Sequence, residues 1–350
     1  MSSIRDVAKA AGVSIATVSR VVNDGGGVSA ATRDRVLGVV AELGYRPNRL
    51  AASLRGRTSN LVALFLDNHK SPFATMLYSA VEEVMQSEGF QLLTCCTRSS
   101  SEHERSYVQA MVEMRAAGAI VRPTTSMTET IRNIRRMHSH DMQTVYIDMA
   151  VGSRRSDNFV ICDNLGGGRL GMEHLVAQGH RHVGVVATRN DQDARHERSA
   201  SLRLRGLLEV ARDHGIEGNI HLAPPTDLSR YELGYENATA LLRQHPEITA
   251  IFALTDTSAI GAMHAVMDLG LSIPDDISIL GYDGLPLGET LVPPLTTVAQ
   301  PIADMGAEAA RTLIAAIRDP DMQPRQMVLP VKLCERSSVS HPRRTPILSI

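Results

Sequence analysis

The chain has 350 residues, enough for two or three packed units, with the 43% hydrophobic and 21% charged content of an ordinary globular protein. No apolar run approaches the ~18 residues that span a bilayer, and the start MSSIRDVAKAAG lacks the apolar core of a secretory signal. Cys95, Cys96, Cys162 and Cys334 have neither metal-type nor disulfide-framework spacing, so the expected compartment is the cytoplasm. The net charge of −2 is unevenly spread: residues 1–60 carry nine basic against four acidic side chains, +5, leaving −7 for the rest. That asymmetry points to a polyanionic partner for the front of the chain only.

Ser3 can cap a first helix, with Asp6 three residues on near its positive end. Val7, Ala8 and Ala11 give that helix an apolar face, and Gly12 ends it. Ser14 caps a second helix facing inward with Val18, Val21 and Val22. Ser29 caps a third, with Val36, Val39, Val40 and Leu43 at helical spacing and Gly44 as its stop. Three short helices around a valine-rich centre, two joined by a tight glycine turn, make an all-α helix-turn-helix domain over residues 1–46. Pro47 breaks the helix, and Asn48 can cap a brief one running to about Arg55, so residues 47–59 read as a hinge helix and linker.

From Leu61 onward, β-type apolar runs alternate with helical stretches. Strands are predicted at Leu61–Leu66, Phe90–Cys95, Gly118–Val121, Thr144–Ile147, Phe159–Ile161, His182–Val186, Ile220–Leu222, Ala250–Leu254 and Ile277–Gly281. Such alternation implies parallel sheets covered on both faces. Within it, "ICDNLGGGRLG" contains Gly166-x-Gly168-x-x-Gly171, with Asp191 ~20 residues on, which fits a dinucleotide fingerprint on paper. An NAD-dependent oxidoreductase is therefore the alternative reading. Against it, the pattern is short among 26 glycines, Asp191 does not cleanly end a second strand, and the helix-turn-helix would have no purpose. No G-x-S-x-G elbow, H-E-x-x-H or P-loop is present, so no enzyme is expected.

The string "IRDVAKAAGVSIATVSRVVND…VSAATRDRVLGVVAELGYRPNRLAASLR" closely resembles the DNA-binding head and hinge of the LacI/GalR repressors. The likeness continues through "DN…GG…HL…GHRHVG", "LRLRGLLE", "TAIFALTDTSAIGAM", "IPDDISILGYDGLP", "PPLTTVAQP" and "CERSS". It implies a homodimeric cytoplasmic regulator, at the bacterial nucleoid, that binds a near-palindromic double-stranded operator. In this reading the second helix enters the major groove. There Ile15 and Ala16 pack against thymine methyls, Ser14, Thr17 and Ser19 assist, and Arg20 can make a bidentate bond to guanine. Ser29, Thr32 and Arg33 serve phosphates. In the hinge, Asn48 and Ala51 face the DNA and Leu54 matches the leucine that wedges between base pairs in the minor groove. Ala52 departs from the arginine common two residues before that wedge.

The resemblance further implies a two-lobed, periplasmic-binding-protein-like α/β domain over residues 60–340, with a tail at 341–350. Its first lobe would comprise about 60–160 and 292–324, its second about 161–291 and 325–340, with crossovers near 160, 290 and 325. Arg203 and Asp283 match the polar floor of the family's interlobe pocket, where a guanidinium and a carboxylate can hold vicinal hydroxyls. The same two residues could instead form a lobe-to-lobe salt bridge. Phe73 is a candidate apolar wall, Thr255 stands where asparagine is common, and Asp148 and Arg122 follow strands at their cleft-facing ends. Arg122, with Arg189, Arg195, His196 and Arg198, suits a sugar acid or sugar phosphate as well as a sugar.

Overall fold

The computed structural model describes residues 3–22, 26–45, 59–67, 70–123, 127–148, 157–187, 199–223 and 230–343. The chain divides at Ser59/Asn60 into two units.

The first unit holds α1 (Ile4–Ala11), α2 (Ile15–Val22) and α3 (Ala30–Glu42). A reciprocal capping box opens α1: Asp6 N donates to Ser3 Oγ (3.3 Å) and Ser3 N to Asp6 Oδ2 (2.8 Å), satisfying two otherwise orphaned donors. Gly12 closes it at φ 63°, a left-handed turn that a side chain would strain. Ser14 and Ser29 cap the next two helices through Thr17 N (3.1 Å) and Thr32 N (3.4 Å). Val7, Ala8, Ala11, Val18, Val21 and Val36 form the buried centre, with Val22, Val39, Val40 and Leu43 packed half-buried around it.

The second unit is two lobes, each a six-stranded sheet between helices. The first sheet runs β11-β5-β4-β3-β1-β2, from β1 (Leu61–Leu66), β2 (Gln91–Cys96), β3 (Gly118–Val121), β4 (Gln143–Ile147), β5 (Asn158–Cys162) and β11 (Gln326–Leu329), all parallel. Strand alternation divides its core in two. Val62, Leu64 and Leu66 face α4 (Pro72–Ser87) and α11 (Ile302–Arg318), while Ala63 and Phe65 face α5 (Ser101–Glu113) and α6 (Met127–His138). Burial on both faces explains why β1 reads as an unbroken apolar run, each such side chain contributing roughly 1.5–3 kcal/mol.

The second sheet runs β12-β10-β9-β8-β6-β7, from β6 (Val183–Val186), β7 (Ile220–Leu222), β8 (Ala250–Ala253), β9 (Ser278–Asp283), β10 (Thr296–Ala299) and β12 (Lys332–Cys334). One face packs on α7 (Asn164–Gln178) and α8 (Ser199–Asp213), the other on α9 (Arg230–Gln244) and α10 (Asp256–Asp268). All nine predicted strands form, within two residues at either end. Three others were not predicted, and β12 pairs antiparallel with β10, so this sheet is not wholly parallel.

Strand pairing moves two of the three crossovers along the chain from their expected places. β5 belongs to the first sheet, so the first crossing follows Cys162, near the expected 160. β10 pairs with β9 in the second sheet, which puts the next crossing at Gln300–Pro301 rather than near 290. β11 pairs with β5, placing the third between Leu329 and Lys332 rather than near 325. Among the described residues, no helix is long and apolar enough to cross a membrane.

Candidate functional site

Parallel strands deliver their C-terminal ends to one edge of each sheet, where open α/β folds take ligands. The polar residues of the body gather at such ends: Asp148 after β4, Cys162 ending β5, Leu254 after β8, Asp283 ending β9 and Gln300 after β10. Arg203 reaches them from α8 and is buried. Its Nε donates to Asn164 Oδ1 (2.8 Å), and its Nη1 donates to the Leu254 carbonyl (2.7 Å) and to Asp283 Oδ1 (3.3 Å). The guanidinium carbon lies over the Tyr282 ring, 3.8 Å from its centroid.

These bonds belong to a closed ring. Gln300 Nε2 donates to Asp283 Oδ1 (2.7 Å), the Cys162 thiol donates to Gln300 Oε1 (3.0 Å), and Asn164 Nδ2 returns to the Cys162 carbonyl (3.3 Å). Cys162, Asn164 and Gln300 flank the first two crossovers, so the floor of the site is built into the segments that join the lobes. Burial pushes the Cys162 thiol up to about 12, leaving it a proton donor and not a nucleophile.

A second cluster comes from the first lobe. Asp148 Oδ2 accepts from Arg122 Nε (2.8 Å), and the Arg122 guanidinium lies 5.3 Å from the centroid of buried Phe73. Ser199, at the start of α8 in the second lobe, donates to the Asp148 carbonyl (2.7 Å) and Oδ1 (3.1 Å). This hydroxyl bridges lobe to lobe; Arg203 and Asp283 do not, because both stand on the second lobe. Both carboxylates sit on positive-φ backbone, Asp148 at 66° and Asp283 at 131°, strain that only a well-packed site sustains.

Their electrostatics differ. Burial opposes ionisation of Asp148, but Arg122 and Arg203 outweigh it and hold the carboxyl below the usual range. At Asp283 burial wins over the Arg203 charge, and the carboxyl is raised. Behind it, Asp256 is pushed up to about 7 by burial and by Asp283. Asp256 accepts from Thr297 Oγ1 (2.6 Å) and Leu285 N (2.7 Å), bracing the end of β9.

Of the predicted pocket residues, Arg203 and Asp283 meet directly, and Arg122, Asp148 and Phe73 form the adjoining cluster. Thr255 caps α10 through Ser258 N (3.3 Å), so its hydroxyl holds a helix end. Arg189, Asp191, Arg195, His196 and Arg198 lie outside the described residues. Asn164, Ser199, Gln300 and Tyr282 were missed. In the "DN" string Asp163 caps α7, accepting from Gly166 N (2.8 Å), and Asn164 serves Arg203.

The glycine string closes packing and leaves no phosphate cradle. A Cβ on Gly168 would lie 2.0 Å from the Arg203 carbonyl, on Gly167 2.1 Å from Tyr282 Oη, and on Gly171 2.5 Å from Phe252. The Asp163 carboxylate holds the helix N-terminus where a pyrophosphate would need to sit.

In the head, Ser14, Ile15, Ala16 and Arg20 line the exposed side of α2, with Thr17 and Ser19 half-buried. Ser29 is exposed at the start of α3, beside half-buried Thr32 and Arg33. Asn48, Ala51 and Leu54 lie outside the described residues.

A helix-turn-helix head followed by two α/β lobes with a polar floor at their crossovers defines a ligand-responsive DNA-binding regulator. Residues 3–48 match the family model of bacterial regulatory proteins of the lacI family, and 172–339 match that of the periplasmic binding protein-like domain. The ribose operon repressor of Halalkalibacterium halodurans is 35% identical over 338 residues, 97% of either chain. The transcriptional regulator DegA of Bacillus subtilis is 34% identical over 339 residues, 97% of this chain and 98% of that one. The crystal structure of the lac repressor dimer bound to operator and the anti-inducer ONPF superposes with a TM-score of 0.84 at 28% identity, covering 97% of this chain and 99% of that one. The chain belongs to the lacI family of bacterial regulatory proteins.

Proposed function

We propose that the protein is a homodimeric cytoplasmic repressor of a sugar-catabolic operon, with two heads on half-sites of a near-palindromic operator and a small effector held between the lobes. The observation that carries this reading is the polar ring at the crossovers: a ligand touching Arg203 or Asp283 acts on the segments about which the lobes move. Arg203 Nη2 makes no hydrogen bond to another described residue and is free to donate to a hydroxyl. A ligand preferring one lobe arrangement shifts the equilibrium between them and hence operator affinity.

The charges favour a neutral sugar over the sugar acid or phosphate that the arginine count suggested. Arg122 and Arg203, the described arginines of the floor and the adjoining cluster, are each paired with a buried carboxylate, which leaves neither of the two to balance an anion. The Cys162 thiol at the floor stays protonated, which supports reading the site as one that binds a ligand. The proposed binding residues are those named above, with Ile15, Ala16 and Arg20 reading bases and Leu54 wedging the minor groove.

Thermal unfolding of the full-length chain against sugars, sugar acids, sugar phosphates and NAD tests the effector class. At ~100 times its dissociation constant a true effector adds ~2.7 kcal/mol, a shift of a few degrees. A neutral sugar should give the shift. A response to NAD alone would overturn the reading, and a response only to phosphorylated sugars would overturn the charge argument.

A further inference from the structure

At the far end of the second sheet from the crossovers, three histidines and a glutamate converge. β6 and β7 run parallel with Gly184 opposite His221, and His182 lies two residues before Gly184. Strand alternation therefore sends the His182 and His221 side chains to the same face, with no side chain on Gly184 between them. That face is the one covered by α9, whose end supplies His245 and then Glu247 before β8 begins.

The geometry is close. One ring nitrogen of His182, one of His221 and a carboxylate oxygen of Glu247 all lie within 4.8 Å of one another. His221 Nε2 is 3.4 Å from Glu247 Oε1, and His245 Nδ1 is 3.3 Å from the same oxygen. The His245 ring stands 4.0 Å from that of His221, centroid to centroid. Two ligands each about 2.1 Å from a tetrahedral ion stand about 3.4 Å apart, which is the spacing found at Glu247.

The cluster is unsatisfied as it stands. Among the described residues, the buried His182 Nδ1 and His221 Nε2 have no hydrogen-bond partner. Imidazole nitrogens with one carboxylate suit zinc and its neighbours in the first transition row, not magnesium or calcium, which take oxygen.

We propose that His182, His221 and Glu247 bind a divalent transition-metal ion, zinc in class, with a fourth position within reach of His245. The ion would fasten edge strand β7 to the turn between α9 and β8, well apart from the effector floor.

The test uses the full-length chain, freed of metal by a chelator, with Co2+ as the visible probe. Titration should give one Co2+ per chain, with the visible absorption of tetrahedral cobalt and no sulfur charge-transfer band, displaced by Zn2+ but not by Mg2+. His221→Ala and Glu247→Gln should each weaken binding at least about tenfold. Far-UV circular dichroism checks folding, and should His221→Ala unfold, the near-isosteric Glu247→Gln decides alone. No saturable binding by the wild-type chain overturns the proposal, as does binding that folded Glu247→Gln keeps in full or that carries a sulfur signature. Because the effector panel reads the opposite end of the lobe, its outcome and this one are separable.

Discussion

Replacing Arg203 by methionine keeps much of the side chain's volume but removes the guanidinium donors at the floor of the site. Asn164 Oδ1, the Leu254 carbonyl and Asp283 lose the guanidinium at once, all in buried surroundings, and Asp283 keeps the Gln300 amide. Breaking a buried ion pair from one side costs about 3–5 kcal/mol, and the orphaned neutral acceptors hold the effect toward the top of that range. At about 2–3 °C per kcal/mol for a unit of this size, the unfolding midpoint of the ligand-binding body should fall by roughly 10 °C. Scanning calorimetry of full-length Arg203→Met at pH 8 measures it. Adding Asp283→Asn removes the stranded carboxylate, so the double variant should be at least about 1 kcal/mol more stable than the sum of the single effects predicts. A single variant within 2 °C of wild type, or strictly additive effects, would refute the claim that this pair anchors the floor. Effector response should vanish in either variant.

Asp256 gives the body a pH dependence of definite sign. Its carboxyl is raised from 3.8 to about 7, so between these values the folded state holds a proton that the unfolded state releases, and stability falls as pH rises through that window by about 4 kcal/mol. Asp283 adds to the same slope; Asp256→Asn should flatten it in urea titrations from pH 4.5 to 8, and an unchanged slope sinks the assignment. Gly168→Ala forces a methyl against the Arg203 backbone and should cost about 1–3 kcal/mol. Gly166→Ala meets only the Asp163 side chain and should cost less; equal melting points would show that α7 is not locked on α8 through Gly168. In operator-selection assays, Arg20→Ala should relax preference at one base pair by ~1–3 kcal/mol, whereas uniform weakening would assign Arg20 to phosphate.

The head was legible almost residue by residue, because capping and glycine stops are local: Ser3, Ser14 and Ser29 each bond within their own first turn. The buried central strands were legible too, as apolar runs between helices. β11 and β12 were not, since both are short edge strands with no fully buried side chain, and β10 begins with two threonines whose burial only the tertiary fold dictates. In the site, family resemblance located Arg203 and Asp283. Their partners escaped because they are selected by closure of distant segments: Cys162 meets Gln300 across 138 positions, and nothing near either residue marks the other. The pairing of Arg122 escaped for the same reason, as the carboxylate it meets is 26 residues away.

The crossovers have a consequence for synthesis. The α1–α3 head ends at Glu42, but the first sheet takes its outer strand from 326–329 and the second takes two from 296–299 and 332–334. During vectorial synthesis the DNA-binding unit is therefore available hundreds of residues before either lobe can close. A message cut short between β6 and residue 326 yields a head attached to two unfinished sheets, and one cut between 330 and 332 still lacks an edge strand of the second, prey for proteases and aggregation. Only a chain made through its last strands carries both the grip on DNA and the means to release it.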